Sequence, residues 1–258
     1  MRTTSSWASA ALKAARGKRP PFVLCYHGLG HGTGDGDHGL LLPVGLFNRH
    51  LDIVAARGYR TVHLTELWEL IETDPGRQGV GALTIDDGLA ASTSKMAEIL
   101  LGRGQTATVY IATGLLGKPH PDLSTGERIV DRSELLELAQ AGLEIGAHTV
   151  DHPDLRTLSQ SEKIDQLTRS KHTLEDLLGR PVTSMAYPFG AVDAATVEAA
   201  RHAGYRTACA CSGPGPWRAL ELPREPVYPS TSPFRLHLKV AGLYGPGHAA
   251  ARIRNRLR

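Results

Sequence analysis

Val80-Gly81-Ala82-Leu83-Thr84-Ile85-Asp86-Asp87-Gly88 is the stretch whose reading decides the fold. A short apolar run bounded by turn residues reads as a buried strand. A carboxylate pair at its end belongs at the mouth of an α/β fold, where parallel strands deliver side chains to a common rim. Downstream, Leu143-Glu144-Ile145-Gly146-Ala147 delivers His148-Thr149-Val150-Asp151-His152 in the same manner. One Asp with two His makes a three-ligand set with a position left for water, the composition of an open catalytic zinc site. The other Asp is then a candidate base. The combination points to metal-assisted hydrolysis.

Outward from these runs, β-like and helical stretches alternate. Phe22 to Tyr26 reads as the first strand, followed by a polar, glycine-rich loop from His27 to about Leu40. Leu46, Phe47, Leu51, Val54 and Ala55 recur at helical spacing, which predicts a helix over 43–57 ended by Gly58. Thr61 to His63 is a short strand, and Thr65 is the expected cap of a helix through Ile71. A helix is expected over 94–102 and a strand over 106–111. In the second half, Asp131 with Glu134 and Ser159 with Glu162 have capping-box spacing, and Gly142 and Gly179 close those helices. Strands are expected over 143–146, 181–187, 205–211 and 226–228, with a helix capped by Asp193 and closed by Gly204. This alternation predicts a mostly parallel sheet with crossover helices, and seven or eight units favour a closed or nearly closed barrel over an open sheet. No linker or repeat divides the chain.

The chain has 258 residues, 41% hydrophobic and 21% charged, enough for one large core. Its net charge of +3 is scattered and aromatics make up 5%, which argues against a nucleic-acid partner. The ends are more basic: residues 1–20 read as a basic extension and 231–258 as a basic tail, with Arg252, Arg254, Arg256 and Arg258. A solvated terminus is the plain reading of that tail; weak attraction to an anionic membrane surface is the alternative. Cys25, Cys209 and Cys211 are odd in number, so reduced thiols are expected, with Cys209 and Cys211 packed on one strand face. The first 20 residues lack the uninterrupted apolar core of a secretory signal, and no segment approaches the ~20 apolar residues of a membrane span. The expected compartment is the cytoplasm.

An isolated Asp-Asp-Gly is ordinarily a solvated turn, and an isolated His-x-x-x-His two surface histidines. Both following apolar strand-like runs in one alternating chain is a stronger signal. Adjacent strand residues point to opposite faces, but at a strand end a turn can bring both carboxylates into one site, and Gly88 allows it. Pro153 biases His152 away from helical geometry, so the two imidazoles are expected on a loop.

Thr84-Ile85-Asp86-Asp87-Gly88 resembles the first motif of the polysaccharide deacetylases, carbohydrate esterase family 4, where Phe is usual at the position of Ile85. Gly146-Ala147-His148-Thr149-Val150-Asp151-His152 resembles the second motif. Ala186-Tyr187-Pro188-Phe189-Gly190 resembles the third, in a branch that also carries an early Tyr-His, here Tyr26-His27. The resemblance runs over roughly residues 22–229 and makes 21–230 the catalytic domain. It implies a distorted (β/α)7-type barrel that hydrolyses acetyl groups on glycans. It implies Asp86 as the base, and Asp87, His148 and His152 as ligands of one divalent metal, zinc in the first instance, with cobalt or nickel as substitutes. It makes Tyr187, Pro188, Phe189 and Gly190 one wall, with the Phe189 backbone N–H as an oxyanion donor.

Two departures stand out. The family's third motif commonly begins with an Arg that orients the base, where this chain has Ala186. Arg224 could supply that charge from the next strand, or be an ordinary surface residue. The family often ends on Leu-x-His, whose His is the general acid. Leu236-His237 is an imperfect match, and His27 competes for the role; its strand-end position makes it the expected acid. His31, Asp35, Asp37 and His38 read as a surface loop, and His50, His63, His120, His172, His202 and His248 as surface or packing residues. The expected substrate is an acetylated sugar of a glycan or lipid-linked saccharide. A same-fold hydrolase of small cyclic amides or imides and a glycan-binding pseudoenzyme are the alternatives.

Overall fold

The computed structural model describes residues 17, 19–30, 39–121, 127–211 and 216–243. The His31, Asp35, Asp37 and His38 loop, His248 and the four tail arginines lie outside them. The strands are β1 (Phe22–Tyr26), β2 (Gly28–Leu29), β3 (Leu41–Leu42), β4 (Arg60–Val62), β5 (Val80–Ile85), β6 (Thr108–Ile111), β7 (Glu144–Ala147), β8 (Ser184–Ala186), β9 (Thr207–Ala210), β10 (Leu222–Pro223) and β11 (Glu225–Pro226). The helices are α1 (Val44–Ala56), α2 (Leu64–Thr73), α3 (Ala90–Leu101), α4 (Arg132–Gln140), α5 (Gln160–Leu178), α6 (Ala194–His202) and α7 (Pro233–Val240).

The main sheet is parallel throughout and runs β10-β9-β8-β7-β6-β5-β1-β11, with β4 beside the first half of β5. Its two ends are one segment interrupted by a single residue. Leu222 and Pro223 pair with Cys209 and Ala210 of β9, while Glu225 and Pro226 pair with Leu24 and Cys25 of β1. The sheet therefore nearly closes into a barrel, and Arg224 sits at the seam. Every residue of β5 is buried, as a strand covered on both faces requires.

Side-chain chemistry explains the local boundaries. The two capping boxes form as spaced, Asp131 with Glu134 and Ser159 with Glu162, and Gly179 ends α5 in the left-handed conformation. Thr65 is not the cap of α2. The helix begins at Leu64, whose N–H donates to the Thr108 hydroxyl (2.9 Å) and to the Glu144 carboxylate (3.0 Å). A carboxylate reaching over from β7 satisfies the orphan donors of this helix N-terminus, where negative charge is favoured. Helix α3 begins at Ala90, ahead of the expected 94, with its polar Ser92 and Thr93 buried. The segment read as a basic tail holds α7. Ser232 caps it, accepting from the Arg235 N–H, and Pro233 takes the first turn. Leu236 and Val240 enter the core, and the Tyr59 hydroxyl donates to the Val240 carbonyl (2.7 Å). Among the described residues no helix is long and apolar enough to cross a membrane.

Candidate active site

In-register parallel pairing brings the strand ends to one rim. Tyr26 lies beside Ile85, Ile85 beside Val109 and Ile111 beside Ala147. The next residues, His27, Asp86 and His148, therefore emerge together. They line a cavity of about 480 Å³ with Asp87, His120, His152, Phe189, Gly190 and Cys211. A cavity of this size is typical of a small-molecule site.

The backbone at this rim is strained. Among the described residues, the non-glycine residues with positive φ are Asp87 (70°), Thr149 (70°), His152 (58°) and Phe189 (59°), and all four sit here. Each such conformation costs ~1–3 kcal/mol and persists only where the surroundings hold it. The turn after β5 thus uses a left-handed Asp87 as well as Gly88. The Gly88 N–H donates to the Asp86 carbonyl (2.9 Å), and a Cβ on Gly88 would fall 2.2 Å from Ile111 Cδ1. The histidine loop is clamped from α5. Gln166 Oε1 accepts from the Val150 and Asp151 N–H groups (3.0 Å each), and Thr149 Oγ1 accepts from the His152 N–H (3.0 Å). At the third motif a Cβ on Gly190 would lie 2.2 Å from Cys211 Cβ, so only glycine fits.

Asp86 is 3% exposed and held by Arg224 through a two-pronged ion pair: Nη1 to Oδ1 at 2.6 Å and Nη2 to Oδ2 at 2.8 Å. Arg224 is itself buried, and its Nη1 also donates to Thr84 Oγ1 (3.1 Å). Burial alone would raise the Asp86 carboxyl; Arg224 foremost, then His148 and His27, outweigh it and hold the group below its ordinary value. Fork geometry of this kind fixes the carboxylate's orientation as well as its charge. The structure thus places in the interior, from the barrel seam, the cation that is missing at Ala186.

Asp87, His148 and His152 place their ligand atoms within 4.8 Å of one another, all buried. Asp87 Oδ1 lies 3.6 Å from His148 Nε2 and 3.5 Å from His152 Nε2. His148 Nδ1 is 2.7 Å from the Ala186 carbonyl. A carbonyl only accepts, so Nδ1 carries the proton and Nε2 presents its lone pair toward Asp87. Burial, the largest influence, lowers the His148 pKa against the pull of Asp86 and Asp87. A lone pair facing a carboxylate oxygen is relieved by a cation between them, and one carboxylate with two imidazoles suits a borderline-soft ion. The residues fit a divalent metal.

The remaining predicted residues divide. His27 is partly exposed, with a ring nitrogen within 4.8 Å of Asp86. His237 lies on α7 and does not line the cavity. Tyr187 and Pro188 do not line it either. The Tyr187 hydroxyl donates to the Leu220 carbonyl (2.9 Å), and the side chain packs in the core because the third motif turns Phe189 outward instead. Phe189 is 60% exposed, its ring 4.8 Å from that of His152. Cys211 follows β9 and lines the cavity, rather than packing on the strand beside buried Cys209. The sequence gives His120 no mark beyond that of a surface or packing residue. It is buried, with Nε2 3.5 Å from Asp87 Oδ1. No apolar run precedes it, and its only sequence mark is a pair of flanking prolines, Pro119 and Pro121.

A parallel barrel thus carries, at its C-terminal rim, a carboxylate–imidazole cluster that could hold a metal and a second carboxylate clamped by an arginine. A family profile described as polysaccharide deacetylase matches residues 73–208, just over half the chain, and the chain belongs to that family. YxkH of Bacillus subtilis (strain 168) is 25% identical over 205 residues, 79% of this chain and 67% of its own length. A chitin deacetylase of Pestalotiopsis sp is 31% identical over 124 residues, 48% of this chain and 39% of its own. The Streptococcus pyogenes deacetylase PplD, solved in complex with acetate, superposes with a TM-score of 0.72 at 22% identity, over 86% of this chain and 98% of that one. At that identity the likeness speaks for the barrel fold. Across the curated relatives it matches, the chain spans between 22% and 67% of their length.

Proposed function

We propose that this chain is a metal-dependent hydrolase that removes acetyl groups from N-acetylated sugars of a glycan or lipid-linked saccharide. The carrying observation is the Arg224–Asp86 ion pair set beside the Asp87, His148 and His152 cluster in one cavity. An unactivated amide needs its carbonyl polarised, a water deprotonated and the departing amine protonated. When bound, a zinc-type ion supplies Lewis-acid polarisation and lowers the pKa of a water. Asp87, His148 and His152 would hold it. Asp86 accepts the water's proton as the oxygen bonds to the acetyl carbon; Arg224 keeps it ionised and aimed. The Phe189 N–H donates to the oxygen where negative charge builds. His27 delivers a proton to the nitrogen as the C–N bond breaks, so acetate and a free amino sugar leave. Zinc is the proposed ion, with cobalt or nickel able to replace it.

The test is acetate release by the metal-loaded protein from a panel of N-acetylglucosamine oligomers and acetylated glycans. Asp86→Asn should retain metal and fold while losing roughly 10²–10⁴-fold in rate, the usual worth of a positioned base. Absence of acetate release across the panel by loaded wild-type protein, or near-normal turnover by Asp86→Asn, would overturn the assignment.

A further inference from the structure

We propose that Cys25, Cys211 and His27, beside Asp86, form a second cation site that takes a thiophilic divalent ion such as zinc or cadmium, and that filling it switches the enzyme off. The site goes beyond the proposed function; only its inhibitory consequence rests on the roles given there to Asp86 and His27. Cys25 Sγ, a ring nitrogen of His27 and a carboxylate oxygen of Asp86 lie within 4.8 Å of one another. The Cys25 thiol stands 3.5 Å from Asp86 Oδ2 and hydrogen-bonds with Cys211. Around tetrahedral zinc, with bonds of ~2.3 Å to sulfur and ~2.0–2.1 Å to nitrogen, ligand atoms stand ~3.3–3.8 Å apart. The Cys25–Asp86 separation falls inside that range. This donor set contains sulfur, which the Asp87, His148 and His152 cluster lacks, and thiolates select soft and borderline ions.

The fold presents these donors together. Cys25 pairs with Thr84 of β5, so Cys25 and His27 share a face with Thr84 and Asp86. Cys211 is set by the third-motif turn: its N–H donates to the Gly190 carbonyl (3.3 Å), and its Cβ occupies the space that a side chain at Gly190 would need. Two observations point to a ligand. His27 Nδ1 is buried and, among the described residues, has no hydrogen-bond partner. Cys25 has one thiol proton and two acceptors for it, Asp86 Oδ2 and the Cys211 sulfur. A cation in place of that proton faces both. The charges also balance. Arg224 already neutralises Asp86 through its two contacts, so the charge left to offset is that of two thiolates, which a divalent ion matches. Cys211 is the readier thiolate: its hydrogen bond with Cys25, the largest influence, and nearby Arg224 hold its pKa below the ordinary value. Cys25 is fully buried, and its pKa is pushed up by the Cys211 hydrogen bond and then by burial, so this site fills after the sulfur-free one. His27, Asp86 and Cys211 line the cavity, which gives the ion its way in. Once held, the ion takes the His27 lone pair and one side of Asp86, and the reaction loses its acid and its base.

The test uses the full-length protein holding one equivalent of zinc, titrated with cadmium(II). Thiolate-to-cadmium charge-transfer absorption in the ultraviolet reads this site and not the other, which has no sulfur. The band should saturate at one further ion per chain, weaken in Cys25→Ser and in Cys211→Ser, disappear in the double variant and persist in Cys209→Ser. In the wild type, cadmium should slow alkylation of Cys211 at least ~10-fold, because a metal-bound thiolate is withdrawn as a nucleophile. That measurement needs no variant to fold. Acetate release should fall at least ~10²-fold between one equivalent of zinc and an excess, the lower worth of a positioned acid or base, and each serine variant should narrow that ratio. No band in the wild type, a band undiminished in the double variant, or Cys211 alkylation indifferent to cadmium overturns the site. A full band beside undiminished acetate release overturns the inhibition. A full band in protein that releases no acetate at any zinc level defeats the deacetylase reading instead and leaves the cation site standing.

Discussion

Replacing Arg224 by Met tests the centre of the site. The guanidinium is fully buried and makes both of its short contacts with Asp86, at 2.6 and 2.8 Å. Removing one partner of such a pair strands a charge in a poorly solvated interior, at a cost of ~3–5 kcal/mol. For a chain of this size each kcal/mol moves Tm by ~2–4 °C, so a fall of roughly 6–20 °C is expected. The second arm is Asp86→Asn in the same background. It removes the stranded charge, so the double variant should be more stable than Arg224→Met alone, with a coupling toward the upper end of ~0.5–3 kcal/mol. The pH dependence follows with a definite sign. Burial raises Asp86, and Arg224 together with His148 and His27 outweighs it, so the folded pKa lies below the unfolded one. Its contribution to stability is then present above the unfolded pKa and lost as pH falls through the folded one. Without Arg224, burial acts with far less opposition and the sign reverses: Arg224→Met is least destabilised at low pH, and the acid limb of its rate profile moves upward. Calorimetry from pH 4 to 8 and the pH–rate profile are the assays. A Tm within 2 °C of wild type (well inside the 6 °C lower bound) together with an unmoved acid limb would refute the reasoning.

Three further outcomes are expected. Gln166→Ala leaves the Val150 and Asp151 N–H groups without their shared acceptor, so zinc affinity by chelator competition should drop ~10–100-fold, and unchanged affinity would mean that the loop does not need this clamp. Gly190→Ala puts a Cβ 2.2 Å from that of Cys211 at a positive φ, so urea denaturation should show a loss of more than ~1 kcal/mol; equal midpoints would contradict the packing. Among the three thiols, Cys211 should be alkylated first at neutral pH. Its hydrogen bond with Cys25 and the nearby Arg224 hold its pKa below the ordinary value, while Cys25 and Cys209 are buried and pushed up; peptide mapping that finds Cys25 or Cys209 labelled first would count against this.

Sequence by itself determined the barrel class and most of the centre. Parallel strands covered on both faces leave continuous apolar runs, and the pairing register then forces the residue after each run onto one rim. Asp86, Asp87, His148 and His27 were legible for that reason, as were the two capping boxes, which depend on residues three apart. Other features depended on contacts that no local pattern records. Arg224 could have been a surface residue until barrel closure placed it at the seam between β10 and β11, facing Asp86 from 138 positions away along the chain. The start of α2 departs from its local capping signal because its donors are satisfied by Glu144, 80 positions from Leu64. Helix α7 was hidden in a basic segment whose apolar face appears only once it meets the core. The outward turn of Phe189, which buries Tyr187, follows from a left-handed backbone that neighbouring packing imposes. His120 carried no apolar run to announce it, because a ribbon tied to the Gly88 turn, and not a strand, brings it to Asp87. Periodicity and register are written in local sequence; side chains that meet through closure, capping from afar or a pinned loop are decided by tertiary contacts alone.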